Sequence, residues 1–585
     1  MTQRTFKIIL PAVFTCAFFA LAASADAATY YIKPGGSGTA SCLDGTTNAC
    51  NFARAHALAA NGDTLIWKGG TYNLSDSWPK MVITKTITMK AAPGETPVIS
   101  AATYPIVGAN APSDNNWGQL LQISANNVVI DGLTIQDTGY RAGRNDLNIQ
   151  SNYGIYSYNR SGTIIRNCTF RNMWHHAIAL ERGSGHLIEN NRSEDSVNCF
   201  PDGACGGSWG ATFHIVGTIN SVIRGNSIIR SYGEGIHTIN GASDTIIENN
   251  IIYDCYMNPI RIHSVKNQTV RNNLIYSTQL LSYTGQWGSG IGIGMERYRF
   301  TGTDGTIVYC DNYNSGHRIY GNRIAGYRFG INISTAGEGG WNSEHDAGLT
   351  ARNCKMSNVK IFNNTVAMTY NSFQTPASLR ISDNGKNRIL SSVQFKNNLF
   401  WTNAPGDSVN TDPYPNPATF DYNLWNKIPP VNYMATRGTH DPGYPSYPSL
   451  SLSDYLAKSS GWNTITPGSL SAADFDLKAT AANAIDKAGW LTTISSASGS
   501  GKSLSVADQY FSPGDIVRVQ GRTANSRIVS VSGNSLIMED DLSWTQGNGI
   551  ALAFSGSAPD IGADEYIAGG GDTQAPAVPS GLAVR

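Results

Sequence analysis

The 585-residue chain carries 42 basic and 42 acidic side chains and is only 14% charged, so it has no net field with which to steer nucleic acid or an anionic membrane surface. With 41% hydrophobic residues it can bury a large core. Its length alone suggests several domains, but a repeat architecture makes one long domain from the same material, so repeats decide the question.

Residues 1–27 read as a secretory signal peptide: Arg4 and Lys7, an apolar run from Ile8 to Ala23 broken by Pro11 and Thr15, then the small-residue stretch Ala25, Asp26, Ala27. The apolar run is shorter than a membrane span needs, and no comparable run follows. The mature protein is therefore expected to be secreted, soluble and without a membrane span. Cys16 leaves with the signal, and eight cysteines remain in a compartment that permits disulfides. Cys42 with Cys50 and Cys199 with Cys205 are near enough to staple loops, Cys310 with Cys354 closes a longer excursion, and Cys168 and Cys255 read as free core thiols. Spacing alone leaves the connectivity open. With no paired CxxC spacing, no metal is assigned to the cysteines.

From Asn51 the sequence NFARAHALAANGDTLIWKGGTY reads as a short amphipathic helix, a Gly-Asp turn and a strand. A pattern then recurs nine times: apolar or β-branched residues, any residue, Asn or Gly, often a second Asn, then an apolar residue. Examples are VVIDGLTI from Val128, SVIRGNSI from Ser221 and VQFKNNLF from Val393. Its anchors fall at 132, 167, 190, 225, 249, 272, 321, 363 and 397, giving a base period of 23 or 24 residues. Longer intervals are one coil plus a loop, and the 49-residue interval admits two coils. Such a period with β-patterned segments marks a solenoid whose coils cannot bury their apolar faces alone. The second-position residues Asn191, Asn226, Asn250, Asn273, Asn322, Asn364 and Asn398 are predicted to stack as an amide ladder.

These features resemble the pectate-lyase-like superfamily, and the resemblance runs from about Thr29 to about Trp425. It implies an all-β fold: a right-handed parallel β-helix over 28–425, opened by an N-terminal helical cap. An extracellular polysaccharide is the partner it implies, but the same coils host lyases, hydrolases, epimerases and non-enzymes. The paired aspartates of polygalacturonases, the WxDH and RxPxxR patterns of pectate lyases and the DPHD motif of alginate epimerases are all absent, so no catalytic residue is carried over.

Beyond Trp425 the Asn pattern stops. Residues 426–494 read as an irregular tail packing on the solenoid, and 495–556 as a small inserted β module with runs such as DIVRVQG and RIVSVSGNSLIMEDDL. PDIGADEY from Pro559, within 557–566, is similar to the terminal motif of proteins grouped as choice-of-anchor Q and is expected to close the solenoid. Residues 567–585 read as a Gly-rich linker and the truncated start of a fibronectin type III-like module.

Twelve or thirteen residues upstream of each anchor lies a strand with an inward apolar row: Ile155, Ile178, Phe213, Ile236 and Ile260. One step later, Tyr156, Ala179, His214, His237 and Arg261 are expected to point outward to solvent and stack at one strand spacing. Tyr158, Glu181, Val216, Ile239 and His263 form the next outward row, with His175, His176 and Glu234 just before the strands. A lyase needs a base for the proton α to a uronate carboxyl and a cation to neutralise that carboxylate. His237 or His214 suits the first role, Arg261 the second, and Lys266 is an alternative base. Tyr156, Glu181, His263, His176 and Trp209 are candidates for substrate contact. A hydrolase would instead use Glu181 and Glu234 as its carboxyl pair, with Asp254 in reserve.

Outward His and Arg also serve as plain solvated surface, and a non-catalytic adhesive protein that displays loops is the reading from another class. Trp174, Trp209, Tyr232, Tyr256, Trp287 and Tyr327 form a further row, read as a core ladder in preference to a sugar platform. Ca2+ held by Asp195 and Asp202 is the one cofactor considered. The protein is expected to be a monomer.

Overall fold

The computed structural model describes residues 27–73, 81–102, 119–138, 153–198, 210–278, 288–295, 299–301, 306–310, 313–334, 356–368, 377–382, 392–402, 409–411, 418–427, 436–437, 440, 451–462 and 464–567. Three long parallel sheets of fourteen, eleven and twelve strands run through them, the central coils each supplying one strand to each sheet. This is the predicted right-handed parallel β-helix.

The anchor residues explain the repeat. All nine, from Gly132 (φ 77) through Asn167 (φ 55) and Asn249 (φ 55) to Asn397 (φ 58), adopt the left-handed conformation, which glycine takes without penalty and asparagine tolerates best among the rest. That turn aims the next residue inward. The ladder runs Asn191, Asn226, Asn250, Asn273, Asn322, Asn364, Asn398, and continues to Asn423. Each amide nitrogen donates to the next Oδ1 at 2.8–3.0 Å. Cys168 holds the equivalent place in the coil below, its backbone N–H donating to Asn191 Oδ1 at 2.9 Å. The inward row Ile155, Ile178, Phe213, Ile236, Ile260, Ile291, Ile331 and Leu379 is fully buried, so each coil packs its apolar side chain on the one below.

The helix Phe52–Leu58 caps the first coils. Asn51 accepts the Arg54 N–H as N-cap, Ala55 is buried, and Phe52 and Leu58 pack on the core. Cys42 and Cys50 form the expected disulfide, and Cys168 and Cys255 are free and buried. Cys310 is disulfide-bonded, and Cys199, Cys205 and Cys354 lie outside the described residues. Residues 1–26, where a signal peptide is expected, and residues 568–585 lie outside them as well.

The 49-residue interval is a single coil. Thr269–Arg271 pairs directly with Arg318–Tyr320, and the added residues include an antiparallel pair, Arg299–Thr301 with Ile307–Tyr309. The solenoid also runs past Trp425, since Thr436–Arg437 adds a strand to the fourteen-stranded sheet.

Tail residues Leu452, Tyr455, Phe475 and Leu477 bury themselves against Tyr276, Ala325 and Leu399 on the twelve-stranded sheet. A six-stranded antiparallel sheet between Thr492 and Leu552 docks on the fourteen-stranded one, where Asp515 meets Arg271 (2.5 Å) and the Tyr320 hydroxyl (2.6 Å) and Asp508 meets Lys360. The PDIGADEY segment lies along the flank rather than over the end: Gly562 N–H donates to Asn397 O and Asn363 Nδ2 to Asp560 O. Among the described residues no helix is long and apolar enough to cross a membrane.

Candidate active site on the eleven-stranded sheet

On the eleven-stranded sheet the outward row is in register as predicted: Tyr156, Ala179, His214, His237 and Arg261, continued by Gly292, Asn332 and Arg380. The second row is Tyr158, Glu181, Val216, Ile239, His263, Gly294 and Ser334. Neighbours along a row stand about 4.8 Å apart.

A third row arises where alternation breaks. Ala211 pairs with Glu234 and Phe213 with Ile236, but the residues between them are unpaired, and a side chain at Gly235 would point into the core against Ile252. Two successive positions thus face inward, and Glu234 emerges on the same face as His237 three residues on. Its Oε2 lies 2.7 Å from His237 Nδ1. Asn258, one coil on, reaches Glu234 Oε1 at 3.4 Å and accepts the Ser289 N–H.

Imidazoles line this face. His176 stacks parallel on His214 at 4.4 Å, His214 meets His237 edge-on at 5.4 Å, and His237 stacks on His263 at 5.8 Å. His176 Nδ1 lies 2.6 Å from Ala211 O. Burial, reinforced by His175 and His214, holds His176 well below the usual imidazole range, and burial lowers His175 to about 4. Tyr156 donates to Glu181 Oε2 at 3.2 Å. Burial pushes the Glu181 carboxyl up despite that bond, and the Tyr156 phenol up as well.

Arg261 lies flat over Gly292 and Gly294. A Cβ at Gly294 would fall 2.6 Å from its Nη2, and one at Gly292 would fall 2.9 Å from Nη1. Those two glycines, with Asn258, are the residues the sequence reading missed; the alternation SGIGIG from Ser289, isoleucine in and glycine out, was the available signal.

The expectation that the row is open to solvent is corrected. It faces away from the solenoid core, yet His237 is 6% exposed, Glu234 6%, and Arg261 and His263 4% each. His214, Glu181 and Tyr156 are half-buried, and Tyr158 is exposed beneath Arg182.

Lys266 is not part of the cluster; it sits at the corner after the His263 strand with its ammonium over the Tyr313 ring. Asp254 is occupied by Thr278, whose N–H and hydroxyl both bond to it. Asp195 is ion-paired to Arg230 at 2.7 Å, and among the described residues no group of three or more His, Cys, Asp or Glu is arranged to hold a metal. Asp202, Trp209 and Trp287 lie outside the described residues. Of the other aromatics in that row, Trp174 and Tyr327 are buried and Tyr232 and Tyr256 half-buried; stacked rings occur at Tyr253–Tyr276, Tyr320–Phe362, Phe395–Phe420 and Phe400–Trp425.

No curated protein sequence matches the chain. Among solved structures, a pectate lyase is similar at 14% identity and TM-score 0.42, over 92% of this chain and 96% of its own. A PL6 family polysaccharide lyase from Pseudopedobacter saltans is similar at 14% and 0.43, over 71% and 97%. The A-module of a mannuronan C-5 epimerase from Azotobacter vinelandii is similar at 12% and 0.42, over 67% and 90%. At these scores nothing in the site is transferred from them. The family described as "Right handed beta helix region" matches residues 153–310, the stretch that carries the histidine-lined face, and with the coil topology it makes this chain a right-handed parallel β-helix protein.

Proposed function

We propose that the protein is a secreted lyase that cleaves a uronate-containing polysaccharide by β-elimination on this face. The carrying observation is the His237–Glu234 pair standing one coil from Arg261. Glu234 orients His237 and favours the imidazolium that forms when His237 takes the proton α to the uronate carboxylate. Arg261, one strand spacing away, is permanently charged and presents a fork that matches a carboxylate, so it neutralises that group as enolate charge develops. Both groups are shielded from water, which strengthens these interactions.

The hydrolytic alternative fits less well. Glu181 is in register with Ile239, five residues past Glu234, which separates the two backbones by about 16 Å along the strand and about 10 Å along the axis. Paired carboxyls act across roughly 5–9.5 Å. Glu181, moreover, turns toward Tyr156 and away from Glu234.

The burial of His237 and Arg261 favours a second reading, in which the row is a polar ladder joining coils in a non-catalytic surface protein. Ultraviolet absorbance from unsaturated uronate, followed on polygalacturonate, polymannuronate and polyguluronate, separates the two. A signal from the wild type that disappears in His237→Gln and Arg261→Ala supports the lyase. Reducing ends without absorbance, or a signal indifferent to both substitutions, overturns it.

A further inference from the structure

Away from His237 the same face carries a second pairing of charge and ring. We propose that Tyr158 and Arg182 form a distal subsite for one uronate residue of the polymer, the ring packing on the sugar and the guanidinium binding its carboxylate. The choice of a uronate rests on the lyase reading above, but the contact is one of binding and can be tested apart from the reaction.

Tyr158 is 44% exposed and is the one aromatic among the exposed large hydrophobic side chains of the described residues. It stands in the second outward row of the eleven-stranded sheet, three coils from Ile239 and on the face of His237. Three coil spacings, about 14 Å, and two residues along the strand, about 7 Å, set it roughly 16 Å from His237, so a polymer touching both spans about three sugar rings. The Arg182 guanidinium carbon lies 5.1 Å from the centre of the Tyr158 ring.

The backbone sets Arg182 apart. The residue after each strand of this row turns left-handed: Asn159 (φ 52), Arg182 (φ 61), Gly217 (φ 57), Asn240 (φ 51) and Ser264 (φ 53). Glycine takes that conformation freely and asparagine readily. A long side chain there is strained, and strain of this kind gathers at ligand-binding positions. The neighbouring acid is directed elsewhere: Glu181 accepts the Tyr156 hydroxyl at 3.2 Å, and burial pushes its carboxyl up, which weakens its opposition to an incoming carboxylate.

The chemistry suits a uronate. A guanidinium presents paired N–H donors to a carboxylate, and an exposed aromatic face packs against the C–H side of a pyranose. Arg182 lies two coils to one side of His237 and Arg261 one coil to the other, so an acidic polymer laid along the coils meets a cation on each side of the histidine.

The test uses the full-length protein with polygalacturonate, polymannuronate and polyguluronate, each also as oligomers from dimer to octamer. Affinity is read by calorimetry and cleavage by absorbance for the wild type, Tyr158→Ala, Tyr158→Phe, Arg182→Asn and Arg182→Lys. Tyr158→Ala and Arg182→Asn should each weaken octamer binding and raise KM roughly three- to tenfold with kcat kept, so that the gain in affinity from dimer to octamer shrinks by that factor. Tyr158→Phe should stay near wild type, and Arg182→Lys should fall between, having the charge without the fork. Because asparagine suits the left-handed turn, Arg182→Asn should hold or raise Tm while affinity falls, an opposition that a purely structural arginine would not give. Unchanged octamer affinity in both variants, or equal losses for dimer and octamer, would overturn the subsite and leave the lyase standing. Binding that depends on Tyr158 and Arg182 without unsaturated product would keep the subsite and overturn the lyase. A wild type that binds none of the three uronans overturns both.

Discussion

Replacing Gly294 by alanine should disable the site while sparing the fold. The new Cβ would stand 2.6 Å from Arg261 Nη2, 2.9 Å from Cζ and 3.4 Å from Nε. Carbon and nitrogen atoms rest at about 3.5 Å or more, so the guanidinium must retreat by about 1 Å. Gly294 has no left-handed φ, and the obstructing atoms are the far end of a flexible side chain, so the backbone need not move. A misplacement of about 1 Å at a reacting centre costs on the order of 100-fold in rate. Initial rates of absorbance growth on the cleaved uronan, with the thermal midpoint measured in parallel, test this: kcat/KM should fall about 100-fold with little change in Tm. A Gly294→Ala protein that cleaves at near wild-type rate, while Arg261→Ala does not, would show that the observed resting place of Arg261 is irrelevant to catalysis.

Glu234→Gln should reduce kcat by roughly 100-fold or more with a smaller effect on KM, because it removes the charge that favours His237 as a proton acceptor; an unchanged kcat counts against the pair. Asn250→Ala withdraws the Oδ1 that serves both Asn226 N–H groups and the donor to Ile223 O and Asn273 Oδ1, all in a fully buried position. Two or three stranded polar groups at about 1–3 kcal/mol each predict about 2–9 kcal/mol of destabilisation by urea titration, and less than about 1 would refute the ladder's role. His175 is buried and lowered to about 4 from 6.5, so the unfolded chain binds the extra proton first. Its share of stability, about 3 kcal/mol, is complete above pH 6.5 and is lost as pH falls toward 4. Unfolding midpoints should drop over that window, and His175→Phe should flatten the drop; a pH-independent midpoint contradicts it.

Much of the architecture was legible in local pattern. A left-handed turn every coil demands Asn or Gly, an inward amide demands a partner one coil away, and a strand alternates sides. Residue type and spacing alone therefore located the anchors from Gly132 to Asn397, the ladder from Asn191 to Asn398, and the register that aligns Tyr156, His214, His237 and Arg261. The site's working geometry depended on departures from that pattern and on the lengths of side chains. The break in pairing before Ile236 turns Glu234 onto the face of His237, and glycines two positions apart make a bed for the arginine of the preceding coil. Arg230 takes up Asp195, and Thr278 takes up Asp254. Burial of the outward row, the single coil inside the 49-residue interval and the docking of the six-stranded sheet on Arg271 and Tyr320 were likewise decided only in three dimensions. The physical reason is range: turn conformation and strand alternation act between neighbours in the chain, whereas the contacts that bury His237 and bed Arg261 join residues 23 to 33 positions apart, whose approach depends on how the coils stack.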